Sequence, residues 1–170
     1  YALVFDGSGD YVDLGNVFNG VQTISFWLEL DDIDASRIDY IIDLDGSNYI
    51  RVNNGTLESN IDSPTYYVNG VAAATTVGSI NQWYHIAVTT TTNVDANDVQ
   101  IGKLGANVAA FSGKVDEVRF WDDVRTATEI KDNYRNSITN PYNDSDLKLY
   151  LRMNNGSGAS AYDHSANMKH

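Results

Sequence analysis

The sequence predicts an all-β sandwich with one short helix. Three observations support this fold class. Apolar residues recur with a period of two, turn residues return every 8–12 positions, and a single segment has a helix start signature. Strands with one buried face produce the first pattern, and short strands joined by tight turns produce the second.

The predicted strands follow from alternation and from the turns between them. In segment 23–30, Ile24, Phe26, Leu28 and Leu30 share one face, and segment 83–88 alternates in the same way. Asp45-Gly46 and Asn69-Gly70 are favourable hairpin turns. Further strands are predicted at 38–44, 48–52, 56–61, 66–71, 99–104 and 114–121.

Two segments interrupt this strand pattern. The four threonines at 89–92 are expected to end a strand and lead into a loop at 93–98. Thr126 and Glu129 have the spacing of a capping box, in which each side chain binds a free amide of the first helical turn. Ile130 and Tyr134 then lie on one face, so we expect a helix at about 127–136 that docks on a sheet.

Composition limits the function classes. The chain has 170 residues, which suits one domain, and its 11 basic and 23 acidic residues give a net charge of −12. This charge argues against nucleic-acid binding, and no apolar run reaches the length needed for membrane insertion. The absence of cysteine excludes a disulfide framework and thiol catalysis.

Six segments together resemble laminin-G-like domains, the LamG group of concanavalin A-like jelly rolls. The resemblance covers most of the chain and rests on ALVFDGSGDYV (2–12), ISFWL (24–28), YVNGV (67–71), WYHIAV (83–88), FSGKVDEVRFW (111–121) and LKLYLRMNNGSGASAYDHSAN (147–167). It implies a jelly-roll sandwich of two packed antiparallel sheets. It also implies a carbohydrate-binding or adhesion module that is extracellular or on a cell or virion surface, often with bound calcium. The expected partners are a polysaccharide or glycan and other domains of the same parent chain.

The order of these segments is unusual for the family. The motif at 147–167 generally precedes the FDG strand, whereas here it follows the helix. We therefore treat residues 1–170 as a single domain in which 147–170 has two interpretations. It is either the start of a following repeat in a tandem array or a closing strand that pairs with residues 1–5.

The resemblance and carboxylate chemistry together predict a calcium site at Asp6, Asp10 and Asp116. Calcium binds six to eight oxygens, and Asp6-Gly7-Ser8-Gly9-Asp10 offers oxygens at alternating positions in a tight loop. In jelly rolls of this kind the metal often lies where the first strands meet the closing strand, which makes Asp116 the third ligand. In the alternative interpretation, Asp6 and Asp10 only cap a turn. Asp43 with Asp45, and Asp163, are weaker candidates.

Aromatic residues predict the sugar site. By alternation Trp27, Trp83 and Trp121 face away from the core, so each is either a stacking platform or covered by the helix and loops. Tyr49 and Asn48 lie in a mid-chain strand and turn with suitable polar chemistry. We predict Trp27, Trp83, Tyr49 and Asn48 as ligand-binding residues.

Catalysis is not predicted. Sandwich glycosidases place paired acids on one strand face, whereas Asp116 and Glu117 are adjacent and are expected to point to opposite faces. His85 stands outside any metal or triad motif. The predicted function is a noncatalytic carbohydrate-binding or adhesion module, and the alternative is a spacer or protein-interaction module without glycan affinity.

Overall fold

The computed structural model describes residues 1–106, 111–154 and 161–168. Within these residues twelve strands, one α-helix and one short 3-10 helix (Pro141–Asn143) are present. The strands are β1 (Leu3–Asp6), β2 (Val12–Gly15), β3 (Phe18–Leu30), β4 (Ile38–Asp43), β5 (Tyr49–Asn53), β6 (Thr56–Ser59), β7 (Thr65–Val68), β8 (Val71–Ala72), β9 (Trp83–Ala96), β10 (Val99–Ile101), β11 (Ser112–Trp121) and β12 (Leu147–Leu151).

The strands form two antiparallel sheets, which confirms the predicted fold class. The larger sheet has the order β1-β11-β3-β9-β7-β8, and β12 also pairs with β11. The smaller sheet has the order β2-β10-β4-β5-β6. The core lies between them and contains the residues that alternation assigned to it, including Phe26, Leu28 and Ile86, all fully buried. Burial of such side chains is the main favourable term in folding.

Strand β9 is longer than predicted. It continues through the four threonines to Ala96, which pairs with Phe18, so residues 93–96 are strand and not loop. Val94 and Ala96 are buried, and threonine is β-branched, so this segment fits a half-buried pleated surface. The prediction underestimated the strand because polar residues in sequence resemble a loop even when their β-propensity is high.

The single helix, α1 (Ala127–Asn133), begins as predicted and ends earlier than residue 136. The capping box is formed: the Glu129 amide donates to Thr126 Oγ1 at 3.2 Å, and the Thr126 amide donates to Glu129 Oε2 at 2.7 Å. Ile130 packs against Tyr67 and Ala87 on the outer face of the larger sheet. The helix therefore covers one side of that face.

Strand β12 pairs with β11 and not with residues 1–5. Its Leu151 lies opposite Val118, whereas Leu3 of β1 lies opposite Val115. Because the other edge of β11 is taken by β3, β1 and β12 lie end to end along one edge and run in the same direction. The segment thus closes the larger sheet, and its role as the start of a following repeat stays a prediction.

Candidate functional site

The outer face of the larger sheet carries a row of functional side chains across its central strands. Trp27 of β3 lies opposite His85 of β9 on one side and Asp116 of β11 on the other. Trp83 lies in the next row, opposite Glu29. Alternation brings these side chains to the face away from the core, as predicted for both tryptophans.

The helix and the segment that follows it form one wall over this face. The Tyr134 ring lies 6.1 Å from the Trp27 ring and 5.5 Å from the His85 ring, measured between centroids. Gly70 permits this docking, because a Cβ at that position would lie 3.1 Å from the Lys131 Cα. The remaining part of the face stays open beside Trp27 and Trp83, which are both partly exposed.

Trp121 is covered and takes no part in this opening. Its side chain is 7% exposed and packs with Leu147 and Tyr150. The indole N–H donates to Asp144 Oδ2 at 3.2 Å, and the Arg125 guanidinium lies 5.2 Å from the ring centroid. Of the three outward tryptophans, Trp27 and Trp83 therefore border the opening, whereas the covered Trp121 lines the space beneath the helix.

Two cavities meet between the sheet and this wall, and together we call them the outer-face groove. The outer cavity, about 420 Å³, is lined by Trp27, Trp83, Asp116 and Glu117 together with four shared residues. The inner cavity, about 610 Å³, runs under the helix and is lined by residues that include His85 and Ser25. The residues shared by both cavities are Arg119, Arg135, Asn136 and Ser137.

Arg119 is the buried cation of the groove. It is 4% exposed, and its Nη2 pairs with Glu117 Oε2 at 2.5 Å and donates to the Asn136 carbonyl at 2.8 Å. Its guanidinium carbon lies 5.0 Å from the Tyr150 ring centroid. The Nε of Arg119 has no hydrogen-bond partner among the described residues. A buried donor without a partner is costly, so this N–H is an unsatisfied group beside the groove.

His85 is neutral in this setting. Burial, followed by the positive charge of Arg119, lowers the pKa of His85 from 6.5 to about 3. Its Nδ1 has no hydrogen-bond partner within the described part of the chain. A neutral imidazole offers one donor and one acceptor, so His85 supplies hydrogen bonding and not charge.

Asp116 is the half-buried carboxylate of the groove. Burial is the main cause that raises its pKa from 3.8 to about 6, and the neighbouring Glu117 carboxylate raises it further. Asp116 Oδ1 accepts the Glu117 amide at 2.8 Å. A titratable group with a perturbed pKa in a cleft marks a candidate functional site.

A β-bulge corrects the prediction that Asp116 and Glu117 point to opposite faces. The pairing of β11 with β3 shifts between Asp116 and Arg119, and Glu117 adopts a φ of 52°. Both carboxylates consequently line the outer cavity. The extra residue of a bulge breaks the alternation, and neither spacing nor composition signals it in the sequence.

The structure does not bring the three predicted calcium ligands together. Asp6 lies opposite Ser112, so Asp116 is four positions further along β11, about 13 Å at the usual strand rise. Asp6 Oδ1 accepts the Ser8 amide at 2.8 Å, and Asp10 Oδ2 accepts the Asp6 amide at 3.1 Å. These two carboxylates cap their own turn, which is the alternative interpretation. No group of three or more His, Cys, Asp or Glu side chains suited to a metal occurs in residues 1–106, 111–154 and 161–168.

The weaker calcium candidates are also engaged in local structure. Asp43 accepts the amides of Gly46 and Gly105, each at 2.8 Å. Asp163 Oδ1 accepts the amides of Tyr150 at 3.0 Å and Ser165 at 2.8 Å. The donor set therefore does not fit a carboxylate-rich calcium site at any of the places that the sequence suggested.

Tyr49 and Asn48 lie on the other side of the molecule. Ile50 and Val52 of β5 enter the core, so Tyr49 belongs to the outer face of the smaller sheet, where its ring lies 5.1 Å from that of Tyr40. The Asn48 side-chain Nδ2 donates to Asp45 Oδ2 at 2.8 Å, and this hydrogen bond stabilises the adjacent turn. The core separates both residues from Trp27 and Trp83, so the four predicted ligand residues do not form one site.

Sequence reasoning missed Arg119, Arg135, Asn136 and Tyr134. Arg119 falls in a recognised motif, but its partners come from distant segments, as in its bond to Asn136. Tyr134 was placed on the docking face of the helix without its contact to Trp27. A search for polar residues in the segment after the helix would have found Arg135 and Asn136, but no signal in the sequence points to the role of Arg119.

The comparisons with known proteins place this architecture in a family. Residues 6–97 match the family model described as the concanavalin A-like lectin/glucanases superfamily, Laminin_G_3. The chain belongs to this superfamily. Its matched region supplies Trp27, Trp83 and His85, whereas the groove residues of β11 and of the segment after the helix follow it.

A solved structure shows the same sandwich. A crystal structure of a "putative carbohydrate binding protein" from Bacteroides ovatus superposes with a TM-score of 0.62 at 17% sequence identity. The match covers 98% of this chain and 53% of the other, so this superfamily member spans about half the length of that protein. At this identity the likeness shows the fold alone. No curated protein matches the sequence. Among the described residues no helix is long and apolar enough to cross a membrane.

Proposed function

We propose that the chain is a noncatalytic carbohydrate-binding module that holds a glycan in the outer-face groove. The observation that carries this proposal is the outer cavity, where Trp27 and Trp83 stand beside the half-buried Asp116. Sugar sites combine aromatic surfaces with a few placed polar groups. The superfamily and the carbohydrate-binding description of the structural neighbour are consistent with it.

Each groove residue has a distinct part in this proposal. The indoles of Trp27 and Trp83 stack on the C–H face of a pyranose ring. Asp116 accepts sugar hydroxyls, since within the described residues its carboxylate accepts only the Glu117 amide, at Oδ1. Asn136 offers an amide that both donates and accepts. Because Arg119, Tyr150 and Ser137 hold Glu117, this carboxylate positions Arg119 and does not face the ligand as a free base.

The proposal also includes a bound calcium ion, for which we assign no site, and a location outside the cell or on a surface. An extracellular, cell-surface or virion-surface module is what the family resemblance implies. A calcium ion in this chain would depend on backbone carbonyls more than on Asp6, Asp10 and Asp116, because the sheet register separates the third carboxylate from the first two.

The proposal is tested by titrating the protein with a panel of oligosaccharides and measuring the affinity by tryptophan fluorescence and by calorimetry. For any glycan that binds, Trp83→Ala is expected to weaken binding at least about tenfold, as for an aromatic residue central to an interface. Tyr49→Ala is the matched control, because it removes a partly exposed aromatic side chain from the opposite sheet. Equal losses in both variants, or no binding to any glycan, would contradict the groove assignment.

A rigid spacer or protein-interaction module remains the second candidate. It is favoured by the extent of the sandwich and by the exposed side chains of Tyr1 and Val4 near the sheet edge. Light scattering distinguishes the two functions: a stable symmetric oligomer without glycan affinity supports the spacer.

A further inference from the structure

We infer that the glycan held in the outer-face groove carries a carboxylate, and that this carboxylate binds at the junction of the inner and outer cavities, beside Arg119 and Arg135. The inference rests on the proposed function and adds the chemical class of the ligand: an acidic, uronate-type sugar.

The junction is a place for an anion because of the side chains that form it. The residues common to both cavities are Arg119, Arg135, Asn136 and Ser137, all of which donate hydrogen bonds and none of which is acidic. Asp116 and Glu117 line only the outer cavity. The acids of the inner cavity, Glu129 and Asp144, pair with Arg125, and Glu117 pairs with Arg119. A group that bridges the two cavities therefore lies beside Arg135, whose guanidinium has no ion pair among the described residues.

Arg119 presents a buried donor that nothing in the described chain satisfies. Its Nη2 is used by Glu117 and by the Asn136 carbonyl, but its Nε is enclosed and without a partner. A guanidinium is always charged and has no acceptor atom, so only an acceptor satisfies this position. Burial at 4% exposure also fixes the side chain, which reduces the entropy cost of binding.

Arg135 supplies the positive charge that Arg119 alone does not. Arg119 is neutralised by Glu117, whereas Arg135 has no ion pair among the described residues and only stacks at 5.1 Å on the Tyr134 ring. Arg135 also lines both cavities, so its unpaired charge is available at their junction. Guanidinium groups bind carboxylates through paired, charge-assisted hydrogen bonds.

His85 adds a neutral hydrogen-bonding group to the inner cavity. With its pKa lowered to about 3, the imidazole is neutral at physiological pH, and its unpartnered Nδ1 donates or accepts according to tautomer. The sugar ring then rests on Trp27 and Trp83, its hydroxyls face Asp116, and its carboxylate points towards the junction. One sugar residue thus places its hydroxyls beside the Asp116 carboxylate and its own carboxylate beside the guanidinium groups of the junction.

The test compares acids with their neutral esters on the intact chain. Oligomers of glucuronate, galacturonate and mannuronate are titrated beside their methyl esters, which keep the shape and remove the charge. We expect at least one acid to bind about tenfold more tightly than its ester, as for one charge-assisted contact. Because Arg135 is exposed, this preference decreases as salt is raised.

Variants of Arg135 locate the effect without disturbing the buried core. Arg135→Gln is expected to remove the preference for the acid, and Arg135→Lys to retain part of it. Lys131→Gln, an exposed cation on α1 outside both cavities, is the matched control and leaves the preference unchanged.

The outcomes separate this inference from the proposed function. Equal binding of acid and ester, a preference for neutral or sulfated oligosaccharides, or an acid preference that survives Arg135→Gln overturns the carboxylate assignment while glycan binding stands. Failure of every saccharide to bind, with unchanged fluorescence of Trp27 and Trp83, overturns both.

Discussion

Asp116→Asn is expected to stabilise the free protein at neutral pH. Burial raises the Asp116 pKa from 3.8 to about 6, so folding disfavours its ionised form. At 1.36 kcal/mol per pKa unit this rise corresponds to a ceiling of about 3 kcal/mol. The side chain is half exposed, and solvent screening reduces the expected gain to about 1 kcal/mol. Asparagine keeps the acceptor for the Glu117 amide, which limits other effects.

The pH dependence of this gain gives its signature. Between pH 3.8 and about 6 the folded protein binds the Asp116 proton more tightly than the unfolded chain. The free energy of unfolding therefore falls as pH rises through this range and stays lowered above it. The advantage of Asp116→Asn is full at pH 7.5 and disappears towards pH 4. Asp39, whose pKa is also raised to about 6, titrates in both proteins and cancels in the difference.

Denaturant unfolding of both proteins at pH 4.5, 6 and 7.5 measures the effect. Asp98→Asn, an exposed loop carboxylate, is the matched control for loss of one negative charge. A variant that is less stable at pH 7.5, or a gain that is the same at every pH, would refute the burial argument. The same variant should bind glycan about tenfold more weakly if Asp116 accepts ligand hydroxyls, since a charged hydrogen bond is lost.

Two further predictions concern stability and metal binding. Gly113→Ala is expected to lower the free energy of unfolding by about 3 kcal/mol or more, because a Cβ there would lie 2.2 Å from the Glu29 carbonyl oxygen. Gly9→Ala is the control for backbone strain alone, since Gly9 has a φ of 86° and a Cβ there would have nothing within 4 Å. Equal losses of stability in the two variants, measured by thermal unfolding, would contradict the steric explanation. If the melting temperature is higher with calcium than with EDTA, we expect the Asp116→Asn variant to show the same increase, because the strand register separates Asp116 from Asp6. Loss of the increase in this variant would support a site formed by Asp6, Asp10 and Asp116.

The alternation of apolar residues predicted an all-β sandwich, its core and the outward direction of the tryptophans, whereas the arrangement of two packed antiparallel sheets came from the family resemblance. The capping box gave the start of the helix because its signal is local. The site was only partly predictable. Trp27 and Trp83 follow from alternation, but the bulge at Glu117 and the contact of Arg119 with Asn136 depend on the pairing of distant segments.

Two groups of predicted site residues are separated in the structure for the same physical reason. Asp6 and Asp116 were grouped because both lie near the junction of the first and closing strands, and only the register reveals the distance between them. Tyr49 was grouped with Trp27 although their strands belong to different sheets. Sequence spacing fixes the face of a residue within a strand, but not the layer or the row in which that strand lies.

Because β12 and β1 lie end to end along β11, the pairing of the larger sheet does not depend on which of these two strands comes first in the chain. Both strands pair with the same edge of β11 and run in the same direction, so the sheet would have the same hydrogen-bond pattern if β12 preceded β1 in the chain. A circular permutant that starts just before Leu147 and joins residue 168 to Tyr1 through a flexible linker would preserve every ladder of the sandwich.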